Sequence, residues 1–185
     1  MAFDDIRVHT SPHGGHDRAI QIGVGAGETF LRGEPVAINA AGRLTESASD
    51  AVDADCIGVA AAGGDTTAPG TMDWRTGILI VTGGLVPVHL ASPHTYFITE
   101  NFATDGAGTL AVPVITTIGD AASLVLAAGT WFVDTGGASN ICRIMDVLDV
   151  DGRSIQESGG TGVSVVFVIV AHQNLTAGTA DDPVA

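Results

Sequence analysis

The stretch that decides the fold covers residues 27–62 and reads GETFLRGEPVAINAAGRLTE, then SASDAVDAD, then CIGVAAA. Pro35–Ile38 is a short apolar strand, and residues 39–42 form a turn because Asn and Gly tolerate positive φ. Residues 43–45 return from the turn as a hairpin partner, and residues 56–60 re-enter the core as a third strand. Short strands, tight turns and the lack of a long amphipathic pattern indicate a small β-domain.

Short apolar runs separated by turn residues continue on both sides of this stretch. Residues 78–81 and 85–90 flank a Gly pair and predict a hairpin. The longest apolar run, VSVVFVIVA at 163–171, is shorter than the ~20 residues of a membrane helix and is rich in β-branched residues, which favour a buried strand. Residues 110–117 are predicted to form an edge strand, because Pro113 lacks the N–H that a central strand donates.

These runs predict an all-β fold with little helix and a small barrel-like, β-clip-like or β-tulip-like core of short strands and hairpins. Residues 1–18 are polar and interrupted by proline and a glycine pair, and they predict an extended N-terminal arm. Residues 19–172 make the β-domain. Residues 173–185 are polar and acidic and predict a flexible tail.

An internal similarity suggests that the β-domain contains two related units. The segment GTWFVDTGG at 129–137 is similar to GEPVAIN at 33–39, and ICRIM at 141–145 is similar to CIGV at 56–59. Each pair of segments combines an apolar strand with a turn of small residues. The similarity predicts related β-units at about 19–90 and 91–172.

The charge of the chain excludes one class of partner. The sequence has 21 acidic residues and 7 cations, all of them arginine, which give a formal net charge of −14. Binding to nucleic acid or to anionic lipid depends on clustered cations. We therefore expect neither a nucleic-acid partner nor a membrane partner.

The sequence shows no pattern typical of a catalytic site. Cys56 and Cys142 lie in apolar strand-like segments without metal-site spacing or a CxxC motif, and we expect two reduced core residues. No G-x-S-x-G elbow occurs, and nothing in the sequence brings Ser, His and Asp together. The N-terminus lacks a basic segment followed by an apolar one, so we expect no signal peptide and synthesis in a cytoplasm. The prediction is a protein that is not an enzyme and needs no cofactor.

Two clusters could bind a metal ion, and both are weak. His9, His13 and His16 are loosely spaced on a predicted arm without a rigid scaffold, which favours an arm that orders against a partner. The acidic loop at 46–55 has the spacing D-x-x-D-x-D, but it lacks the central Gly and the terminal Glu of an EF-hand loop. A solvated loop and a weak surface Ca²⁺ site both remain open there.

The glycines at 23–27 resemble a phosphate-binding loop only in their spacing. They lack the ending of such a loop and no helix pattern follows them, so we do not expect nucleotide binding.

The opening stretch resembles the capsid cement, or head decoration, proteins of tailed bacteriophages. In that family a strand ends in a "dGk" turn, an acidic Ala-rich loop follows, and an "iGVA" strand comes next. The matching residues here are Val36, Ile38, Gly42, Arg43, Leu44, Asp55, Ile57, Gly58, Val59 and Ala60. The resemblance covers about residues 27–88 and consists of strand and turn positions rather than reactive side chains.

The resemblance implies a structural virion protein on the capsid exterior. Such a protein binds the major capsid protein on the outer surface of the head and stabilises the expanded shell, and we expect a homotrimer, with a dimer as the alternative. Cement proteins use an arm of this kind to reach neighbouring capsid subunits. From position and residue type, and not from a family motif, the predicted capsid contacts are Phe3, Ile6, Arg7, Val8, Arg18, Trp74 and Arg75.

A ligand-binding or carbohydrate-binding β-module on a virion surface, such as a head-fibre base, is the alternative interpretation. Aromatic side chains are the usual platform for a sugar. The candidates in this chain are Trp74, Tyr96 and Trp131, and their clustering on one face would favour this class.

Overall fold

The computed structural model describes residues 6–9, 19–50, 56–65, 72–73, 78–79, 84–92, 94–170, 172–173 and 180–181. The strands in these ranges are β1 (Arg7–His9), β2 (Ala19–Gly23), β3 (Thr29–Phe30), β4 (Pro35–Ile38), β5 (Leu44–Glu46), β6 (Gly58–Ala60), β7 (Gly64–Asp65), β8 (Met72–Asp73), β9 (Ile78–Leu79), β10 (Leu85–Leu90), β11 (Tyr96–Thr99), β12 (Phe102–Ala103), β13 (Ala121–Ala127), β14 (Thr130–Asp134), β15 (Cys142–Leu148), β16 (Ser164–Ile169), β17 (His172–Gln173) and β18 (Ala180–Asp181). A 3₁₀ helix covers Ile115–Thr117, and the α-helix α1 covers Ile155–Ser158. The predicted all-β fold with little helix is confirmed.

Two main sheets make up the fold. The larger has seven strands in the order β1-β11-β16-β15-β13-β14-β12, and the smaller has five in the order β2-β10-β6-β4-β5. The described first and last strands of each sheet do not pair with one another, so the sheets are open and the predicted barrel-like closure is wrong. The likeness to a β-clip or β-tulip stays a prediction.

The opening stretch folds as the sequence predicts. The Asn39 Oδ1 atom accepts hydrogen bonds from the backbone N–H groups of Ala41 (3.0 Å) and Arg43 (3.1 Å), and Gly42 has a φ of 72°. This turn joins β4 to β5 in the expected antiparallel hairpin, and β6 pairs with the other side of β4. Gly58 has a φ of 153°, and a Cβ atom there would lie 2.1 Å from the carbonyl oxygen of His89. Glycine is therefore required where β6 passes β10.

The buried apolar side chains form two clusters. The large core includes Phe97, Leu124, Trp131 and Phe167, all from strands of the seven-stranded sheet. The small core belongs to the five-stranded sheet; it includes Val24, Phe30, Val36, Leu44, Val86 and Val88. Both predicted core cysteines, Cys56 and Cys142, are buried free thiols in the large core, and burial raises the pKa of Cys142.

The strand order can be compared with the two predicted β-units at about 19–90 and 91–172. The five-stranded sheet comes entirely from residues 19–90, and the seven-stranded sheet comes from later residues together with β1. The similarity between the units does not extend to pairing, because β4 lies next to β6 whereas β13 separates β14 from β15. The two segments therefore pair differently, and the division into two related β-units stays a prediction.

Residues 6–9 correct the predicted arm. β1 pairs antiparallel with β11, with Arg7 opposite Ile98 and His9 opposite Tyr96. Ile6 is only 2% exposed and packs in the large core. These residues belong to the sheet because β11 pairs with β16 on one side only, which leaves its other side for β1, and because the large core accepts the Ile6 side chain. The other residues of the segment 1–18 lie outside the described ranges.

Three further local predictions need correction. β9 pairs with β8, and β10 pairs with β2 and β6, so the hairpin of 78–81 with 85–90 is wrong. Residues 110–117 make a single bridge at Leu110 and then a 3₁₀ turn, in which the Val114 N–H donates to the Thr117 hydroxyl. Within the predicted flexible tail, Gln173 pairs with Ala180, so β17 and β18 form a small antiparallel pair at these positions.

No helix among the described residues has the length and apolar character needed to cross a lipid bilayer.

Removing the apolar side chain that anchors β1 should weaken the fold. We expect Ile6→Ala to lower the free energy of unfolding by about 2–5 kcal/mol, because it leaves a cavity in the large core. Urea unfolding followed by tryptophan fluorescence measures this loss. The matched control is Ile115→Ala, at a side chain that is 54% exposed, with an expected change within about 0.5 kcal/mol. Equal losses in the two variants would show that Ile6 is not part of the core.

Candidate functional site: a cationic junction and an apolar segment

The predicted contact residues fall into three groups. Phe3, Arg18, Trp74 and Arg75 lie outside the described residues, and their role stays a prediction. Ile6 is buried in the core of its own chain, so its predicted role as an anchor in a partner is wrong. Arg7 and Val8 lie together at the edge of a surface depression, as described next.

The depression lies where the two sheets meet, and we name it the junction site. Its cavity volume is about 360 Å³. The partly exposed Val8 and Ala61 supply apolar surface to its floor, and its polar side chains come from two arginines and one histidine. The lining residues are Ile6, Arg7, Val8, Arg32, Ala60, Ala61 and His89.

Backbone hydrogen bonds build the junction site. The Ile6 N–H donates to the Gly33 carbonyl (3.2 Å), and the Gly33 N–H donates to the Ala60 carbonyl (2.9 Å). The Ala61 N–H donates to the Pro87 carbonyl (2.9 Å). β1, the turn at residues 31–34, β6 and β10 are thereby fixed relative to one another. The junction site is consequently a rigid feature of the backbone.

The junction site concentrates positive charge on an acidic protein. Arg7 and Arg32 are two of the seven arginines in a chain with a formal charge of −14, and His89 lies beside them. Arg7 forms an ion pair with Glu100 at 3.7 Å, with side chains that are 54% and 73% exposed. An exposed pair of this kind contributes about 0–1 kcal/mol, so another carboxylate can displace Glu100 with little loss.

A second surface is apolar and lies at the far edge of the seven-stranded sheet. We name residues 110–115, of sequence LAVPVI, the apolar segment. Leu110 and Val112 are 68% and 62% exposed, and Val114 and Ile115 are also exposed. Exposed apolar residues that occur singly are ordinary, but four within six residues are typical of a protein contact.

The apolar segment is held in one conformation by its neighbours. The Ala111 N–H donates to the Phe102 carbonyl (2.8 Å), which attaches the segment to the edge strand β12. Pro113 is buried, and a Cβ atom at Gly162 would lie 2.5 Å from the Pro113 carbonyl oxygen. A segment with so little freedom loses little entropy when it binds a partner.

Two aspartates order the loop that leads into the apolar segment. The buried Asp134 carboxylate accepts hydrogen bonds from the N–H groups of Gly106 (3.0 Å), Gly108 (3.2 Å) and Gly136 (2.8 Å). Asp105 Oδ1 accepts hydrogen bonds from two further N–H groups of the loop. A hydrogen bond from the Thr109 side chain, with the N–H groups of Ala107 and Thr109, lowers the pKa of Asp105 to about 2.

The acidic loop at 46–55 has a structural role at its described end. The Asp50 carboxylate accepts hydrogen bonds from the N–H groups of Ala138 (3.2 Å) and Ser139 (3.2 Å) and from the Ser139 hydroxyl (2.9 Å). Burial would raise the pKa of Asp50, but the hydrogen bonds from Ser123, Ser139 and Ala138 outweigh it, so the pKa is lowered. These contacts connect the loop to the strands of the larger sheet.

The metal-binding alternatives gain no further support. Asp53, Asp55, His13 and His16 lie outside the described ranges. In the part of the chain that the structure describes, no three His, Cys, Asp or Glu side chains are placed to hold a metal ion.

The two described aromatic residues of the proposed sugar platform lie on strands that are far apart in the large sheet. Trp131 is fully buried, and Tyr96 lies on β11, which β16, β15 and β13 separate from the strand of Trp131. Trp74 lies outside the described residues. The clustering that would favour a carbohydrate-binding module is therefore absent for Tyr96 and Trp131.

The chain has no match among protein-family models and no significant match among curated proteins.

Sequence reasoning missed the partners of Arg7 at the junction site and the exposure of the apolar segment. Arg32 follows β3 and His89 lies on β10, and only the meeting of the two sheets brings both beside β1. The apolar segment did carry a signal. Its apolar residues were visible in the sequence, but Pro113 led to the prediction of an edge strand, which is wrong, and the sequence did not show which side chains would face solvent.

Loss of the buried carboxylate should loosen the loop before the apolar segment. We expect Asp134→Ala to lower the free energy of unfolding by about 2–4 kcal/mol, because three N–H groups lose a charged acceptor. Asp134→Asn should lower the free energy of unfolding by less, since an amide oxygen can still accept the hydrogen bonds that Oδ1 accepts. Asp151→Ala, at an exposed aspartate, is the control for loss of a carboxylate. Urea unfolding gives the values, and equal effects at positions 134 and 151 would refute this role.

The hydrogen bonds to Asp105 make stability depend on acid pH. The pKa of Asp105 is lowered from 3.8 to about 2 in the folded protein, so its ionised form favours folding. This stabilisation is complete above pH 3.8 and is lost as the pH falls toward 2. We expect the urea midpoints of the natural protein and Asp105→Asn to differ at pH 5 and to converge by pH 2, with Thr109→Val in between. A difference that stays constant over this range would contradict the assignment.

Proposed function

We propose that this protein is a structural virion protein that acts as a capsid cement, or head decoration, protein of a tailed bacteriophage. It binds the major capsid protein on the outer surface of the head and stabilises the expanded shell. It is made in the host cytoplasm and ends up on the capsid exterior.

The observation that carries the proposal is the location of the residues that resemble the cement family. Val36 lies on β4, Leu44 on β5 and Val59 on β6, which are neighbouring strands of the five-stranded sheet. All three side chains are buried. The matching residues therefore lie on one continuous piece of folded sheet, which supports the proposal. Asp55 of the same motif lies outside the described residues.

The two surfaces of the preceding section suit a lattice-binding protein. The apolar segment offers exposed side chains on a fixed backbone, and the junction site offers positive charge on an acidic surface. A protein that binds only the expanded lattice stabilises it by mass action, by about 2.7 kcal/mol per site at a free concentration of 100 times Kd. Many copies on one head, each clamping its neighbours, add to this effect.

We propose that the protein binds as a symmetric oligomer, a trimer first and a dimer as the alternative. A trimer fits between capsomers that are related by threefold symmetry. A solution mass near three times 18.6 kDa supports the trimer.

The proposal is tested by co-sedimentation with cognate mature shells that lack this protein. We expect saturable binding of the full chain, and we expect Leu110→Ser combined with Val112→Ser to weaken it by roughly tenfold, through loss of apolar contact. The matched control is Val150→Ser, at a side chain that is 83% exposed and distant in sequence. Failure of the full chain to bind its cognate shell would overturn the proposal, and binding to a glycan would then favour the carbohydrate-binding alternative.

The contribution of the N-terminal arm needs substitutions rather than a deletion. Removal of residues 1–18 would also remove Ile6 from the large core and β1 from the sheet, which confuses lost binding with lost stability. Phe3→Ala and Arg18→Ala avoid this problem. Shell binding that is unchanged in both variants would leave the cement function intact and exclude the arm from it.

A further inference from the structure

We propose that the junction site binds an extended acidic segment of another protein, with its carboxylates against Arg7 and Arg32 and its backbone along β1. The inference goes beyond the cement function, because it names the chemistry of a partner segment whatever assembly that partner forms. Three observations support it, namely the charge of the rim, the apolar floor and the position of β1.

The charge of Arg7 and Arg32, which we call the rim of the junction site, favours binding of an anion. Arg7 and Arg32 come from separate parts of the chain and line the same depression, although cations are scarce in this protein. Arginine is the side chain best suited to carboxylate, since its planar group can donate two parallel hydrogen bonds. Arg7 already pairs with the Glu100 carboxylate at 3.7 Å, so the rim accepts this group in the unbound protein.

The floor favours a carboxylate on an aliphatic stem over a free phosphate. Val8 and Ala61 are partly exposed and line the same depression as the two arginines. The methylene groups of a glutamate side chain gain from contact with such a surface, whereas a phosphate ion has no apolar part to bury. The volume of about 360 Å³ holds a few side chains and not a whole domain.

The position of β1 favours an extended backbone. β1 is the first strand of the seven-stranded sheet, and within the described ranges β11 is the strand that pairs with it. An edge strand binds an extended peptide by adding it as a further strand, and alternate side chains of that peptide then lie on the same face. A segment with acidic residues at alternate positions would place them all toward the arginines.

The test uses defined peptides and the full-length protein. The probe is a fluorescein-labelled octapeptide of alternating Val and Glu, and its control has Gln in place of every Glu. Fluorescence anisotropy at low ionic strength should show binding of the Glu peptide, at least tenfold weaker binding of the Gln peptide, and loss of affinity as salt is added. Equal binding of the two peptides, or no binding of the Glu peptide, would overturn the proposal.

Variants locate the binding to the junction site. Arg7→Ala and Arg32→Ala should each weaken the Glu peptide roughly tenfold, and Arg32→Lys should weaken it less because it keeps the charge but not the planar group. The matched control is Arg43→Ala, at an exposed arginine of the β4–β5 turn, which should leave the affinity unchanged. Far-UV circular dichroism checks that each variant is folded. An equal loss at position 43 would show general attraction to charge and not a site.

Two further experiments distinguish an acidic peptide from other possible occupants of the junction site. Inorganic phosphate and unlabelled Glu peptide are added as competitors, and displacement by phosphate at concentrations as low as those of the unlabelled peptide would show that the site binds a simple anion and would overturn the assignment to a peptide. Analytical ultracentrifugation of the protein alone compares the natural chain with Arg7→Ala and Arg32→Ala. Dissociation of an oligomer in these variants would identify a second copy of this chain as the occupant and overturn the assignment to another protein.

Discussion

The structure depends on one segment that both cores share. Cys56 and Val59 pack in the large core, whereas Ile57 and Ala60 pack in the small core. Neighbouring side chains alternate between the two cores at 56–57 and again at 59–60, and the phase of this alternation changes across Gly58, whose φ is 153°. Gly58 completes the arrangement, because the His89 carbonyl occupies the space that a side chain would need. The two sheets are consequently parts of one folded unit.

Two sets of polar contacts reinforce this connection. On one side, Ile6, Gly33 and Ala60 are linked by successive backbone hydrogen bonds. On the other side, the Asp50 N–H donates to the Leu124 carbonyl (2.8 Å) and its carboxylate accepts hydrogen bonds from residues 138–139. The acidic loop, which looks like a solvated excursion in the sequence, thus holds the smaller sheet against the larger one. The buried part of this contact is polar, so its strength depends on the ionised state of Asp50.

The connection between the sheets also creates the surfaces that a partner can bind. Because Arg7 lies on β1 of the large sheet, His89 lies on β10 of the small sheet and Arg32 follows β3, the junction brings two arginines and a histidine together from three distant positions. At the opposite edge of the large sheet, the buried carboxylate of Asp134 orders the loop that presents the apolar segment. Among the described residues of this acidic protein, the junction site and the apolar segment are therefore the two surfaces that we propose for contact with a partner.

The sequence by itself determined the local structure. Turn chemistry at Asn39 and Gly42 and the β-branched run at 163–171 correctly predicted a hairpin and a buried strand, because these preferences act over a few residues. The sequence did not determine which strands pair with one another. The partners of β9 and β10, the addition of β1 to the large sheet and the open form of both sheets all depend on contacts between distant residues. Short strands of similar composition do not encode their partners, since any of them satisfies the same backbone hydrogen bonds. Only burial in the two cores selects the pairing, and with it the site where Arg7 and Arg32 meet.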